Sequence, residues 1–348
     1  MAIIAKHRPG VYSDFKTSDI LYSKKTSKSI AIVAKSNAEI NTVYNIQKLS
    51  DAQATFGNET LMTTLCKSAL ENGASNIYAI SVGSSDENYA LAFKSLENIT
   101  DIHVVVCDSS DISIHKLLAE SVNNASLNKK ERIGIIAASE NLLEPYSWAS
   151  EFNDERILLI AQNPLSSDGS TLPGCILATA LASIISRYSD PSLSFNGINI
   201  EGFSKLNKNL TEEQVDEYIN CGIIPFEVVA GRIEIIRAIT SKTTTNGLAD
   251  KTLKEINTIL IIDEIIKSIR EMLSYNISTA KNNVTTRSAI SSQVTVKLQE
   301  FLDANIIESY EIPNVYQSEV DNTICIVEIN FTVAQGINQI HISANINV

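Results

Sequence analysis

One unit recurs from Ser29 to Asn163: a short run of continuous apolar residues, then a longer stretch with helical spacing. The runs are SIAIVAKS (29–36), NIYAISV (76–82), DIHVVVCDSS (101–110), ERIGIIAAS (131–139) and ERILLIAQNP (155–164). Between them lie TLMTTLCKSALENGA (60–74), ENYALAFKSLENI (87–99), a helix over 111–122 and a short helix around Trp148. A strand with one wet face alternates apolar and polar side chains. These runs do not, so both of their faces need cover. Such strands joined by amphipathic helices predict a mostly parallel, Rossmann-like sheet with helices on each side, wrapped by right-handed crossovers.

The character changes after PLSSDGSTLPG (164–174), which reads as a linker. An apolar helix over 175–190, a strand region over 194–203 and a helix over 211–222 follow. IIPFEVVAGRIEIIRAIT (223–240) reads as a hairpin turning at Ala230-Gly231. Two long helices are expected over 250–277 and 289–306. The first carries Leu253, Ile256, Leu260, Ile262, Ile266, Ile269 and Leu273 as one broad stripe. The end is β again: ESYEIPNVY (308–316), TICIVEINFTV (323–333), a break at Gln335-Gly336, then a terminal strand. There Ile340, Ile342, Ala344, Ile346 and Val348 alternate with His341, Ser343, Asn345 and Asn347. The expected class is α/β followed by α+β. Its divisions are an N-terminal arm and start of the core over 1–28, an outer α/β domain over 29–165, an α+β core over 172–337 and a C-terminal arm over 338–348.

A net charge of −12 argues against general nucleic-acid binding, which needs a basic face. No apolar run is long enough to cross a bilayer, so no membrane insertion is expected. MAIIAKHRPG lacks the parts of a signal peptide, so folding in the cytoplasm is expected. Cys66, Cys107, Cys175, Cys221 and Cys325 are scattered without metal-ligand spacing and read as reduced, mostly buried thiols. The four histidines, His7, His103, His115 and His341, form no ligand pair.

Open parallel sheets bind ligands beyond the carboxyl ends of their strands, and the most suggestive end is Cys107-Asp108-Ser109-Ser110-Asp111. Cys107 could be a nucleophile beside carboxylates, but His103 sits four residues back along the same strand, about 13 Å away. An Asp-x-Ser-x-Ser metal loop counted from Asp108 fails at Ile112. The plainer reading is a strand end with a polar helix cap. No phosphate loop, Gly-x-Ser-x-Gly elbow or His-Glu-x-x-His appears, and Asp263-Glu264 reads as a solvated helix face.

Several stretches together resemble the contractile-tail sheath family of bacteriophages, which contractile bacteriocins and related injection machines share. They are RPGVYSDF (8–15), LATALASIISRYSDPSLSFNGINIEGF (177–203), GIIPFEVVAGRIEIIRAIT (222–240), EINTILIIDEIIKSIREML (255–273) and VTVKLQEFLDANIIESYE (294–311). Order and spacing carry the likeness. It covers about 8–20 and most of 172–348, and is weak over 29–163. It implies a structural subunit without cofactor or metal, in a helical homopolymer of stacked hexameric rings around an inner tail tube protein. Baseplate and tail terminator proteins would stand at the ends. The subunit would be assembled in a bacterial cytoplasm and carried in a virion or a released contractile particle.

The resemblance also implies extended arms that add strands to neighbouring subunits, a form of β-augmentation. Val11, Tyr12, Ser13, Asp14 and Phe15 would form one donated strand, and Ile340, His341, Ile342, Ser343, Ala344, Asn345 and Ile346 the other. Lys281, Arg287 and Lys297 become candidates to face an acidic tube, or else are plain surface charges. The terminal strand has a second reading, an edge strand of its own domain. Two rivals remain at the level of function. One is an α/β enzyme or small-ligand binding protein with a site near Cys107–Asp111. The other is a different self-assembling protein such as a tail-tube or surface-layer subunit, although tube proteins are usually shorter and mainly β.

Overall fold

The structure, a computed structural model, describes residues 28–139, 144–250, 252–274 and 280–336. Strand β1 (Ser29–Ala34) comes first, then β2 (Val43–Ile46), α1 (Leu49–Phe56), α2 (Leu61–Glu71), β3 (Ile77–Ser81), α3 (Tyr89–Leu96), β4 (Ile102–Cys107) and α4 (Ile112–Leu127). They are followed by β5 (Ile133–Ala137), α5 (Pro145–Ala149), β6 (Ile157–Ile160), α6 (Cys175–Arg187), β7 (Asn199–Ile200), α7 (Glu212–Asn220) and β8 (Ile223–Ile224). The main sheet has the order β2-β3-β1-β4-β5-β6-β8 and is parallel except for β2, which runs antiparallel to β3 at the edge.

Along β1, alternate side chains enter two different cores. Ile30, Ile32 and Ala34 pack with α1, α2 and α6, whereas Ala31 and Val33 pack with α3, α4 and α5. Continuous apolar runs are what this two-sided cover requires. The expected parallel sheet is therefore present, and it draws on both sides of the 164–174 linker: β8 is its last strand, and α6 is buried from Cys175 to Ser186. Strand β2 and helix α1 are absent from the sequence reading. VYNI is short and half exposed, as an edge strand can be, and so carries no strong pattern.

The core around α6 continues into Phe226, Ile233 and Ile235 of a small antiparallel sheet, where β9 (Phe226–Val229) pairs with β10 (Arg232–Ile235) and β10 with β7. The hairpin turns at Ala230 (φ 50°) and Gly231 (φ 78°), as expected. Two successive left-handed residues match the twist of a two-residue hairpin. An exposed hairpin, β11 (Thr244–Thr245) with β12 (Leu248–Ala249), then leads to the C-terminal module.

That module holds α8 (Ile256–Ser274), α9 (Val284–Asp303), β13 (Ile307–Tyr310), β14 (Asn314–Gln317), β15 (Cys325–Glu328) and β16 (Phe331–Val333). Helix α9 starts at Val284 rather than 289, because the Asn283 side chain accepts from the Thr286 N–H at 2.9 Å and caps it. Helix α8 differs more from expectation. Ile256 and Ile259 belong to the core under the sheet, while Ile261, Ile265 and Ile269 face α9 and β13 in a separate core with Val294, Leu298 and Ile307. Ile266, expected in a single stripe, is exposed. At 3.6 residues per turn, 256, 259, 263 and 270 share one face and 261, 265 and 269 the opposite one. The helix is two-faced because it joins two cores.

Candidate functional site

The sheet order changes direction between β1 and β4, the usual ligand position in open α/β folds. There the Asp108 carboxylate accepts from the Lys35 N–H at 3.0 Å and from the Tyr89 hydroxyl. Burial pushes the Asp108 carboxyl up, and those hydrogen bonds oppose the shift. Cys107 is fully buried, which raises its thiol well above the ordinary range. The His115 ring is already engaged, with Nε2 donating to the Ser109 carbonyl at 2.7 Å and Nδ1 accepting from Trp148 Nε1 at 3.4 Å. His103 is held on the far end of β4, its Nδ1 3.2 Å from the Asp101 carbonyl. Neither imidazole is placed to take the thiol's proton. Asp111 accepts from the N–H and Oγ of Ser113 at 2.7 Å and caps α4. Among the described residues no three side chains are grouped to hold a metal ion.

The C-terminal module offers a different kind of site. Ile307 lies opposite Val333, Tyr310 opposite Phe331, Asn314 opposite Glu328 and Gln317 opposite Cys325. The Glu311 N–H donates to the Asn330 carbonyl at 2.9 Å between the two halves. β13–β14 and β15–β16 thus make one long antiparallel ribbon, interrupted near Pro313, which has no N–H to donate. Among the described residues the ribbon stays two-stranded. Even its inward residues Val315 and Val327 are only half buried, and Ile312, Val320 and Ile324 are exposed. An isolated two-stranded ribbon is marginal in water, and its outer edges present unpaired backbone groups. The expected donor strands, Val11 to Phe15 and Ile340 to Ile346, lie outside the described residues.

Of the three expected tube-facing cations, the structure brings two together. Lys281 and Arg287 line a cleft of about 590 Å³ beside the ribbon, with Lys129, Arg270, Leu273, Ile290 and Val327. Arg287 Nη1 donates to Asn282 Oδ1 at 2.9 Å and to Gln317 Oε1 at 3.4 Å, two amide acceptors. Lys297 is not in the cleft. Its Nζ is 2.7 Å from Glu300 and sits 5.3 Å from the centre of the Phe301 ring.

Sequence reasoning missed a polar joint at the opposite end of the sheet. Asp263 is not on a solvated face: Arg156 donates to both of its oxygens at 2.7 Å, and the two side chains are 13% and 15% exposed. Two turns along α8, Arg270 donates to Glu131 at 2.5 and 3.2 Å. Burial pushes the Asp263 carboxyl up against the pull of Arg156. It also pushes Glu131 up, but Arg270 outweighs it and holds Glu131 below the usual range. The partners lie 107 and 139 residues apart in sequence, so no local signal could have paired them.

Residues 83–241 match the phage tail sheath protein central domain, and residues 249–347 match the phage tail sheath C-terminal domain. No curated protein matches the chain. Among solved structures it is similar to the contracted helical sheath of the anti-feeding prophage, at 13% identity and a TM-score of 0.76, covering 99% of this chain and 100% of that one. It is similar to the contracted PVC sheath complex of an extracellular contractile injection system, at 12% identity and 0.73, covering 99% of each. A sheath tail protein from Desulfitobacterium hafniense matches at 11% identity and 0.70, covering 93% of this chain and 100% of that one. At these identities the structural likeness is one of fold. The two domain matches run almost unbroken from residue 83 to residue 347, and the chain belongs to the phage tail sheath protein family.

Proposed function

We propose that this chain is the subunit of a contractile sheath. Copies polymerise helically around an inner tube, joined by strands donated from the arms at 1–28 and 338–348. On triggering they repack outward into a shorter, wider helix that drives the tube through a target cell envelope. The reading rests most on the ribbon of the C-terminal module, which is two-stranded among the described residues and half covered. A strand from another copy would pair its edge and cover its apolar face. Each added hydrogen bond contributes on the order of 1 kcal/mol net, and apolar burial adds roughly 25 cal/mol per Å². Such joints are heterologous and do not close pairwise, so they build helical arrays.

In this reading residues 29–165 face outward and residues 172–337 face the tube. Lys281 and Arg287 meet acidic tube residues in their cleft, with Lys297 a weaker candidate because Glu300 already pairs it. Energy is stored at assembly as a bistable packing rather than drawn from a nucleotide, so the subunit acts without catalysis or cofactor. Assembly in a bacterial cytoplasm, stacked hexameric rings, and baseplate and terminator proteins at the ends belong to the same proposal. A synthetic peptide of residues 337–348 tests the joint. In excess it should shorten or abolish tubes formed by the full chain, while a peptide of the same composition in scrambled order should not. Equal growth with either peptide would contradict the donated C-terminal strand.

A further inference from the structure

Helix α8 crosses the amino-terminal edge of the parallel sheet, below β1, β4, β5 and β6. Lys28, His103, Arg132, Asp263 and Lys267 line a cavity of about 30 Å³ there, room for about one water. Two ion pairs bracket that crossing, and their polarities are opposed. Arg156, just before β6, reaches the acidic Asp263 of α8, while Glu131, just before β5, reaches the basic Arg270 of α8. The residues on α8 are seven apart and so lie on one face, about 10 Å apart along the axis.

We infer that this crossed pair of ion pairs is a register lock, which seats α8 on the sheet edge in one position and makes the sheet and the C-terminal module move as one body. The argument is one of exclusion. Sliding α8 by one turn in one direction would bring Lys267 to Arg156 and Ser274 to Glu131, a like-charge contact and a lost partner. Sliding it the other way would bring Ile259 and Ile266 to the two charges, leaving both buried without a counter-ion. Apolar packing alone distinguishes these seats poorly, because isoleucines recur along most of α8. Buried ion pairs contribute little net stability against well-packed apolar residues, and fixing a register is their best-attested use.

The lock is tested on the isolated full-length subunit, so its failure is separate from any failure to polymerise. Spin labels on Leu127→Cys and Glu271→Cys, with Cys221 and Cys325 replaced by serine, report the seat as a distance distribution. Hydrogen exchange of peptides from α8 and from β1 and β4 reports protection. Asp263→Arg should shift or split the distance by about 5 Å, one helical turn, and speed α8 exchange at least tenfold while β1 and β4 stay protected. Adding Arg156→Asp to that variant should restore a single distance. If the reversed chain does not fold, Asp263→Asn with Arg270→Gln carries the test, with a broadened distance and three- to tenfold faster α8 exchange expected. Unchanged distance and exchange in the variants, or an exchanged pair that fails to restore the distance in a protein whose sheet stays protected, would overturn the lock.

Discussion

Gly222 stands so close to Ser241 that a Cβ on it would lie 2.9 Å from the Ser241 Cα and 3.1 Å from its carbonyl oxygen. Both atoms are backbone and cannot swing aside. Ser241 is itself fixed, since its N–H donates to the Ile157 carbonyl at 2.7 Å and its hydroxyl to the Asp154 carbonyl at 2.9 Å. Gly222 also has φ +76°, a conformation that side chains disfavour. It is the point where the chain leaves α7 and enters the last strand of the main sheet. Gly222→Ala should therefore cost about 2–4 kcal/mol from backbone strain and overpacking together. Chemical denaturation of the subunit at low concentration checks it. A change under 0.5 kcal/mol would mean that the two segments part easily.

Arg132 is a buried cation that has backbone carbonyls rather than a salt-bridged carboxylate as its partners among the described residues. Its Nη1 donates to the Leu96 carbonyl at 3.1 Å and its Nη2 to the Ile99 carbonyl at 2.8 Å, while Lys130 donates to the Glu97 carbonyl. These carbonyls lie at and just past the end of α3, and a positive charge suits that end of the helix dipole. Burial lowers the guanidinium to about 10, so it stays charged at neutral pH. Arg132→Met keeps the volume but takes the guanidinium donor from the Ile99 carbonyl and leaves the Leu96 carbonyl with the Ile99 N–H alone, and should cost about 1–3 kcal/mol. Amide exchange should quicken first in α3. Uniform loss across the sheet, or no loss, would contradict the capping role.

His103 should make the fold acid-sensitive. Burial, helped by the nearby Lys28 charge, lowers its imidazole from 6.5 to about 4. The unfolded chain therefore takes up a proton at this residue before the folded one does. Stability is fully present above pH 6.5 and falls as the pH drops toward 4, by up to about 3 kcal/mol at the lower end. His115 is lowered by burial as well and adds to the slope in the same sense. Thermal melts between pH 7 and 4.5 should show the decline, and His103→Gln should flatten it. An equal slope in the variant would contradict the role of His103 and assign the acid sensitivity to other groups, His115 and the carboxylates among them.

The parallel sheet could be read from the sequence because its strands are buried on both faces and so lack polar interruption. Ile30 to Ala34 is the plainest case. The hairpin at Ala230-Gly231 was readable for a local reason, the left-handed conformation its turn requires. Helix α8 was not. Its isoleucines look like one stripe until the sheet edge supplies Arg156 and Glu131 from far upstream, and only then do Asp263 and Arg270 define a second face. The cap on α9 was missed because Val284 to Arg287 reads locally as a polar loop. The ribbon strands were expected as two continuous runs, and the break beside Pro313 follows from its missing N–H. The cleft joins Lys281 and Arg287 through packing of β15 against α8 and α9, which spacing along the chain does not encode.

The central claim is that strands at the chain ends tie copies together, and negative-stain electron microscopy of two purified proteins tests it most directly. The full chain should form tubes of uniform width, and the chain lacking residues 340–348 should remain as discrete particles while keeping its melting transition. Normal tubes from the shortened chain, or discrete particles alone from the full chain, would contradict the account.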